Sequence, residues 1–518
     1  MGVLAVYDTV GIQNYIFSSN KLSENVGGSK LIADIFNEDL PDIIAKVTKE
    51  DIKVIKKWRD GGALNPALKA EIVYQGGGNA FVAFADEPTF QAITKAFLIY
   101  VSKTAPGVGI AVAALETDFG ETYESDFDKL NKRLTLVKGS FNTAVFAGNQ
   151  PITKQSRRTG LPVSEFRDGE YLSQSQLMQR ERYAVFKKKR NSNIEDFEDL
   201  AFEKGKDSFI AIVHVDGNNM GMRIKEYIKQ FKNYTDAVPK IRKLVTSIDN
   251  FYNGARVRTT EAFNLGYADY IAQVREKFPG RYDNKIDKKG RIIKDYDEPP
   301  ILDLIGDGDD ITLVISGRFA LDFAARLLRE LEKTTDTEWP FADEPNACAG
   351  VVIFHEHYPF SEAYKLVEDL CKSAKKKSRE CTGSYIDFHL HQSGNVASLK
   401  VLRDRQYKVE GCTLLRRPWR ITAGKEDEQP NFKWFENNMA LLKNEKDYPR
   451  NKIKSIRNAI SAGDNAADIA QYQLRGKKLP KITTPLCDKM SKFAAHFDIL
   501  EMQDIYENLL NKWGGKDA

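Results

Sequence analysis

The sequence predicts an α+β fold made of two βαββαβ units followed by a helical C-terminal region. Three observations carry this: one order of elements occurs twice, each copy has a hairpin with a glycine-rich or acidic turn, and strand signals fade after about residue 386. The first copy opens with "VLAVYDTVGIQNYIF", an apolar strand ending at Asp8 and followed by Gly11 and a helix-like segment. "FIAIVHVDGNNMGMRI", residues 209 to 224, has the same shape with Asp216 and Gly221. Each is followed by two β-branched or aromatic runs around a tight turn, "EIVYQGGGNAFVAFA" and "ILDLIGDGDDITLVISG". Each hairpin leads to a helical pattern and then to another apolar strand, "GVGIAVAALETD" and "ACAGVVIFHE". Helices covering one face of an antiparallel sheet satisfy that order.

The implied boundaries are 1–145 for the first unit, 146–206 for a basic and partly helical linker, 207–385 for the second unit and 386–518 for a helical domain. A chain of 518 residues exceeds what one core serves, in keeping with several domains. The linker carries "KQSRRTG" and "QRERYAVFKKKR", a basic patch for RNA or another anionic partner, or else a solvated spacer. The stretch "VRTTEAFNLGYADYIAQVREKF" reads as part of a long insertion ahead of the second hairpin. Beyond 386, "ENNMALLKNEK", "YPRNKIKSIRNAISAGDNAADIAQYQLRG" and "MSKFAAHFDILEMQDIYENLLNKWG" read as helices.

Composition narrows the function class. With 77 Lys+Arg against 73 Asp+Glu, the charge is too balanced for a nucleic-acid coat protein. No apolar run reaches the roughly 18 residues of a membrane span and no signal-peptide pattern opens the chain, so a cytoplasmic protein is expected. The five cysteines show no CxxC spacing, against a disulfide framework or structural zinc. His355 with His357 and His389 with His391 form two HxH pairs, each without a third ligand nearby in sequence.

The chemistry points to the acidic turn. In a βαββαβ unit the end of the first strand lies beside the hairpin turn, so Asp216 and Gly217 come next to Gly308, Asp309 and Asp310. Two unit charges about 4 Å apart interact by roughly 4 kcal/mol at an effective dielectric of about 20, so clustered carboxylates call for a cation or open water. Three of them make a hard-oxygen site for Mg²⁺ or Mn²⁺, which in turn holds nucleotide phosphates. Alone, the turn reads equally as solvated Asp-Gly chemistry. The first unit's turn, Gly76, Gly77, Gly78 and Asn79, has no carboxylate and could cradle a nucleotide only through its backbone. Gly27, Gly28, Ser29 and Lys30 stand before an amphipathic helix, where N–H groups and a cation would meet phosphate; the simpler reading is a turn leading into the helix. In "EDLCKSAKKKSRE", Lys375 and Lys376 are the nearest candidates for a triphosphate, in a run that otherwise reads as a solvated face.

Taken together, "GIQNYIF…SENVGGSKLI", "QGGGN", "VDGNNMG", "GDGDD", "AGVVIFHEHYPFSEAYKLVEDLCKSAKKKS" and "RRPWRI" resemble the polymerase-cyclase large subunit of type III CRISPR effector complexes. The resemblance implies two ferredoxin-like palm domains, distant kinship to GGDEF cyclases, and synthesis of an oligonucleotide messenger, typically cyclic oligoadenylate, from ATP in antiviral defence. Asp309 and Asp310 fall on the carboxylates of the GGDD motif and Asp216 on the first aspartate of the DxD strand end. Effector subunits and RNA would be its partners. Asn218 replaces the second DxD aspartate and Asp307 the first glycine of GGDD, which implies a weaker second metal or Asp307 as a substitute ligand. No HD nuclease precedes the first palm, which implies a stand-alone or specialised relative. Two other functions compete: a non-catalytic RNA-binding or scaffold subunit, and a GGDEF-like cyclase, which ordinarily pairs one palm from each of two chains.

Overall fold

The computed structural model describes residues 1–17, 19–140, 153–203, 207–286, 292–333, 339–392, 394–409, 412–422, 431–443, 449–463, 466 and 494–509. In the first unit β1 (Gly2–Val10) is followed by α1 (Ile12–Phe17), α2 (Leu22–Asp34), α3 (Leu40–Thr48) and α4 (Ile52–Ile55). Then come β2 (Ala70–Gly76), β3 (Asn79–Phe84), α5 (Glu87–Thr104) and β4 (Gly109–Thr117). The sheet order β2-β3-β1-β4 is that of a βαββαβ unit, as expected. Alternation along β1 sends Val3, Ala5 and Tyr7 into one core and Leu4 and Val6 into another, so both faces are covered. That is why its sequence is apolar from Val3 to Tyr7. α6 (Tyr123–Ser140) packs on β4.

The connecting region holds a hairpin, β5 (Val163–Arg167) and β6 (Glu170–Ser173), then α7 (Gln174–Arg190) and α8 (Phe197–Leu200). The second unit repeats the plan with β7 (Phe209–Gly217), α9 (Met220–Ile228), α10 (Tyr234–Lys277), the short strands β8 (Lys285–Ile286) and β9 (Ile292–Lys294), the hairpin β10 (Ile301–Asp307) and β11 (Asp310–Ser316), α11 (Ala320–Leu331) and β12 (Ala347–His355). The order β10-β11-β7-β12 matches that of the first sheet. Even the bulges correspond, between Ile72 and Tyr74 in β2 and between Asp303 and Ile305 in β10.

Two features differ from the sequence reading. The sheet does not end near residue 385: after α12 (Phe360–Glu380), β13 (Tyr385–His391) pairs in parallel with β12 across the expected domain boundary. Ile386, Phe388 and Leu390 face the core while Asp387, His389 and His391 alternate with them, and those polar residues hide the strand signal. The first half of the expected insertion, up to Lys277, is also the end of one long helix. α10 spans 44 residues, started by Asn233, whose side chain accepts from the Asp236 N–H. Its first two turns (Tyr234, Val238, Ile241) pack in the first unit's core and its later residues (Leu244, Ile248, Phe251) in the second's. Arg242, fully buried, donates to Val73 O at 3.0 Å and Glu71 Oε1 at 2.8 Å, fastening the helix to β2.

Beyond α13 (Leu399–Gln406) lie the strand pair β14 (Lys408–Val409) and β15 (Cys412–Thr413), β16 (Trp419–Arg420) beside β13, and helices α14 (Phe432–Leu442), α15 (Arg450–Ser461) and α16 (Ala494–Met502). Buried Arg417 donates to Asp498 Oδ1 at 3.0 Å and Phe388 O at 2.6 Å, locking α16 to the palm sheet. Of the helical patterns read over 448–476 and 490–514, residues 448, 464–465, 467–476, 490–493 and 510–514 lie outside the described residues. No described helix is long and apolar enough to cross a membrane.

Candidate active site

Strand pairing assembles the acidic edge. Asp216 lies opposite Asp310 on one side and Cys348 on the other, and Asp307 pairs with Asp310 across the turn. Gly308 sits at φ +59°, which glycine adopts without strain. Gly217 N–H donates to Asp309 O at 3.3 Å, and a Cβ on Gly217 would stand 2.2 Å from the Tyr252 hydroxyl, so any other residue there would have to displace the Tyr252 and Met220 side chains. Asp216 and Asp309 share a polar cleft of about 230 Å³ with Asn218, Lys375, Ser378 and Arg379. Burial, followed by the charges of Asp216 and Asp310, pushes the Asp309 carboxyl up to about 7. A cation beside it would reverse that shift, so these carboxylates fit a hard divalent metal.

Lys375 partly offsets the charge. Its ammonium lies 2.5 Å from Asp216 Oδ2 and donates to Gly217 O at 3.2 Å. Lys376, one residue on, is exposed and lines neither cavity. Asn218 is placed differently from a ligand-in-waiting. Its Nδ2 donates to Ser378 Oγ at 3.0 Å, and Ser378 donates onward to Gly383 O at 2.7 Å, so the amide ties β7 to α12. The Asp307 side chain, the expected substitute ligand, lies outside the described part of the structure.

A larger cavity of about 860 Å³ opens between the two units. Gly76, Gly77 and Asn79 line it from the first hairpin, Gly306, Gly308 and Asp309 from the second, and Asp249 and Asn253 from α10. Gly78 instead turns inward, its carbonyl accepting from Thr9 N at 3.0 Å and Thr9 Oγ1 at 2.8 Å. Gln75, also in the wall, donates from Nε2 to Asn37 Oδ1 at 2.9 Å, while Gln75 Oε1 and Asn79 Oδ1 have no protein partner. Gln75 and Asn79 thus bring amide groups to the wall of a cavity of nucleotide size, suited to a donor-bearing ligand.

The expected phosphate loop is not a loop. Gly27, Gly28, Ser29 and Lys30 lie within α2, and none lines either cavity. A Cβ on Gly27 would sit 1.7 Å from Gln179 O, so the glycines serve close packing of α2 on α7. Ser29 Oγ donates to Leu304 O. Burial pushes the Lys30 amine down, Asp303 partly restoring it, and its Nζ stands 5.0 Å from the Phe186 ring centre. His355 and His357 are exposed, whereas His389 and His391 are buried in β13.

Sequence reasoning passed over His214. It stands two residues before Asp216 on β7, so period two puts it on the same face. Its Nδ1 is 2.9 Å from Thr312 Oγ1 and 3.3 Å from Asp310 Oδ1. Burial alone would push the imidazole down, but Asp310 and Cys371 against it hold its pKa well above the ordinary value.

Comparison with known proteins agrees with this geometry. Residues 209–382 match the family model described as Cas10/Cmr2, second palm domain. A Csm1–Csm4 cassette in complex with pppApApA aligns with TM-score 0.54 at 14% identity, over 97% of this chain and 69% of that one. The same cassette with AMPPNP aligns with TM-score 0.53 at 14% identity over the same shares. Csm1 from T.onnurineus aligns with TM-score 0.50 at 13% identity, over 97% and 69% of the two chains. At such identities the likeness is one of fold. No curated protein matches the chain in sequence.

Proposed function

We propose that the chain, whose residues 209–382 match the second palm domain of Cas10/Cmr2, is a polymerase-cyclase subunit of the type III CRISPR kind, a nucleotidyltransferase joining ATP into a cyclic or linear oligoadenylate signal. The observation that carries this is the acidic edge: Asp216 and Asp309 share one cleft, Asp310 adjoins them, and a single lysine is ion-paired there. In the reaction a 3′-hydroxyl attacks an α-phosphorus, a phosphodiester forms and pyrophosphate leaves. Asp216, Asp309 and Asp310 would hold Mg²⁺ or Mn²⁺, which when bound lowers the pKa of that hydroxyl and offsets charge on the phosphate in transit.

The chain's own groups do the positioning. Gly308, where a Cβ would meet open space, lets substrate approach the backbone closely. Lys375 draws the Asp216 carboxylate toward α12 and supplies positive charge beside the phosphates. Gly76, Gly77, Gln75 and Asn79 would hold the other nucleotide without a metal, since that turn has no carboxylate. Effector subunits and RNA are the partners proposed, because the similar Csm1 chains are seen in cassettes with Csm4.

A non-catalytic RNA-binding or scaffold subunit is the second reading, favoured by Asn218 being bonded to Ser378. A GGDEF-like cyclase fits less well, because two unequal palms already stand in one chain. Incubation with Mg²⁺ or Mn²⁺ and each nucleoside triphosphate, with and without RNA and effector subunits, followed by mass spectrometry, separates them. Oligoadenylate that disappears in Asp309→Ala is the expected result; ATP binding with no product under any condition leaves the scaffold reading.

A further inference from the structure

Behind the acidic edge, His214, Asp216 and Cys371 bring a ring nitrogen, a carboxylate oxygen and a thiol sulfur within 4.8 Å of one another. His214 and Cys371 are buried, and Asp216 opens to the small cleft. Nucleotidyl transfer as described uses neither the thiol nor the imidazole. With Nδ1 of His214 turned to Asp310 Oδ1 and Thr312 Oγ1, Nε2 is the ring nitrogen left for a ligand. A histidine whose other nitrogen meets a carboxylate has the arrangement found around ligated zinc. Cys371 is held with Sγ 3.5 Å from Cys348 O, on the face of α12 that packs against the sheet. This mixed set is wrong for Mg²⁺, which takes about six oxygens, and right for a four-coordinate ion bound by nitrogen, sulfur, one carboxylate oxygen and water.

We propose that His214, Asp216 and Cys371 form a second, inhibitory site for a thiophilic divalent cation of the zinc type, which withdraws Asp216 from the acidic edge. On binding, the ring proton at Nε2 and the thiol proton leave to solvent, the ion bonds Nε2, the thiolate and one Asp216 oxygen, and the Lys375 ion pair loosens. The inhibitory half rests on the nucleotidyltransferase reading; the site itself does not.

Cobalt reports on the site directly, because thiolate ligation gives a charge-transfer band in the near ultraviolet and four-coordination gives strong visible bands. The full chain without nucleotide is titrated with Co²⁺, then with Zn²⁺. Both band types are expected, displaced by Zn²⁺, with the charge-transfer band lost in Cys371→Ser and kept in Cys381→Ser. His214→Gln is expected to weaken Zn²⁺ binding at least about tenfold. No charge-transfer band in the unaltered chain, or one that survives Cys371→Ser, overturns the site. If the chain makes product with Mg²⁺, Zn²⁺ is expected to stop it and Cys371→Ser to restore it; inhibition unchanged in Cys371→Ser overturns the inhibitory role. A Cys371-dependent band in a chain that makes no product supports the site and counts against the nucleotidyltransferase reading alone.

Discussion

The two palms have the same wiring and different charge. In the first, Asp8 at the end of β1 pairs with Lys138 of α6 at 2.7 Å; in the second, Asp216 at the end of β7 pairs with Lys375 of α12 at 2.5 Å. Both lysines lie on the helix that follows the last strand of the unit. The residue opposite the strand-end aspartate is Asn79 in one palm and Asp310 in the other, and Gly78 stands where Asp309 does. One lysine balances one carboxylate, so the first palm is complete as it stands. The second adds Asp309 and Asp310 beside its strand-end aspartate, and burial with neighbouring charge holds Asp309 partly protonated near neutral pH. The difference teaches that the first hairpin turn offers a ligand only backbone and amides, whereas the second is poised for a cation.

The largest effect should come from removing that excess charge. Asp309→Ala with Asp310→Ala is expected to lower synthesis by about 10³-fold or more, the equivalent of several kcal/mol of lost metal assistance. Melting temperature without metal should rise or stay level. Synthesis that persisted would erase the distinction between the palms.

Much of this contrast is legible in the sequence. Apolar strands, glycine turns and the acidic hairpin are short-range signals, and the strand-end position of Asp216 follows from topology. What stayed hidden depends on long-range packing. Residues 27–30 look like a loop because they contain two glycines, yet those glycines are needed for the approach of α2 to Gln179. Nothing local shows that α10 bridges two cores or that β13, with three polar residues in seven, is a sheet strand. His214 could have been found, since it shares a strand face with Asp216. Asn218 reads as a weakened ligand until its Ser378 partner is visible.

Smaller effects sharpen the comparison. Asn218→Asp is expected to destabilise the chain by about 1–3 kcal/mol, because a carboxylate replaces the donor to Ser378, whose own hydrogen goes to Gly383 O. Half-saturating Mg²⁺ should not fall; a clear drop would mean that position 218 reaches the metal. Lys375→Ala should leave the acidic edge more negative and lower half-saturating Mg²⁺ several-fold. Lys138→Ala, whose lysine is substantially exposed, should cost ~1 kcal/mol of stability or less and leave metal dependence unchanged.

The smallest effect is in pH. Asp309 has a folded pKa of about 7 against an ordinary value of about 4, so the folded state keeps a proton that the unfolded state loses. Metal-free stability from this group is therefore full below about 4 and declines as pH rises to about 7. Denaturant midpoints from pH 4 to 8 should show that decline in the unaltered chain and less of it in Asp309→Asn; equal slopes would contradict the assignment.

The central claim is that one palm needs a cation and the other does not. Calorimetry of ATP binding to Asp309→Ala/Asp310→Ala, with and without Mg²⁺, tests it most directly. Residual binding independent of Mg²⁺ and lost when Gln75→Ala and Asn79→Ala are added is the predicted result. No residual binding, or residual binding that still requires Mg²⁺, would contradict it.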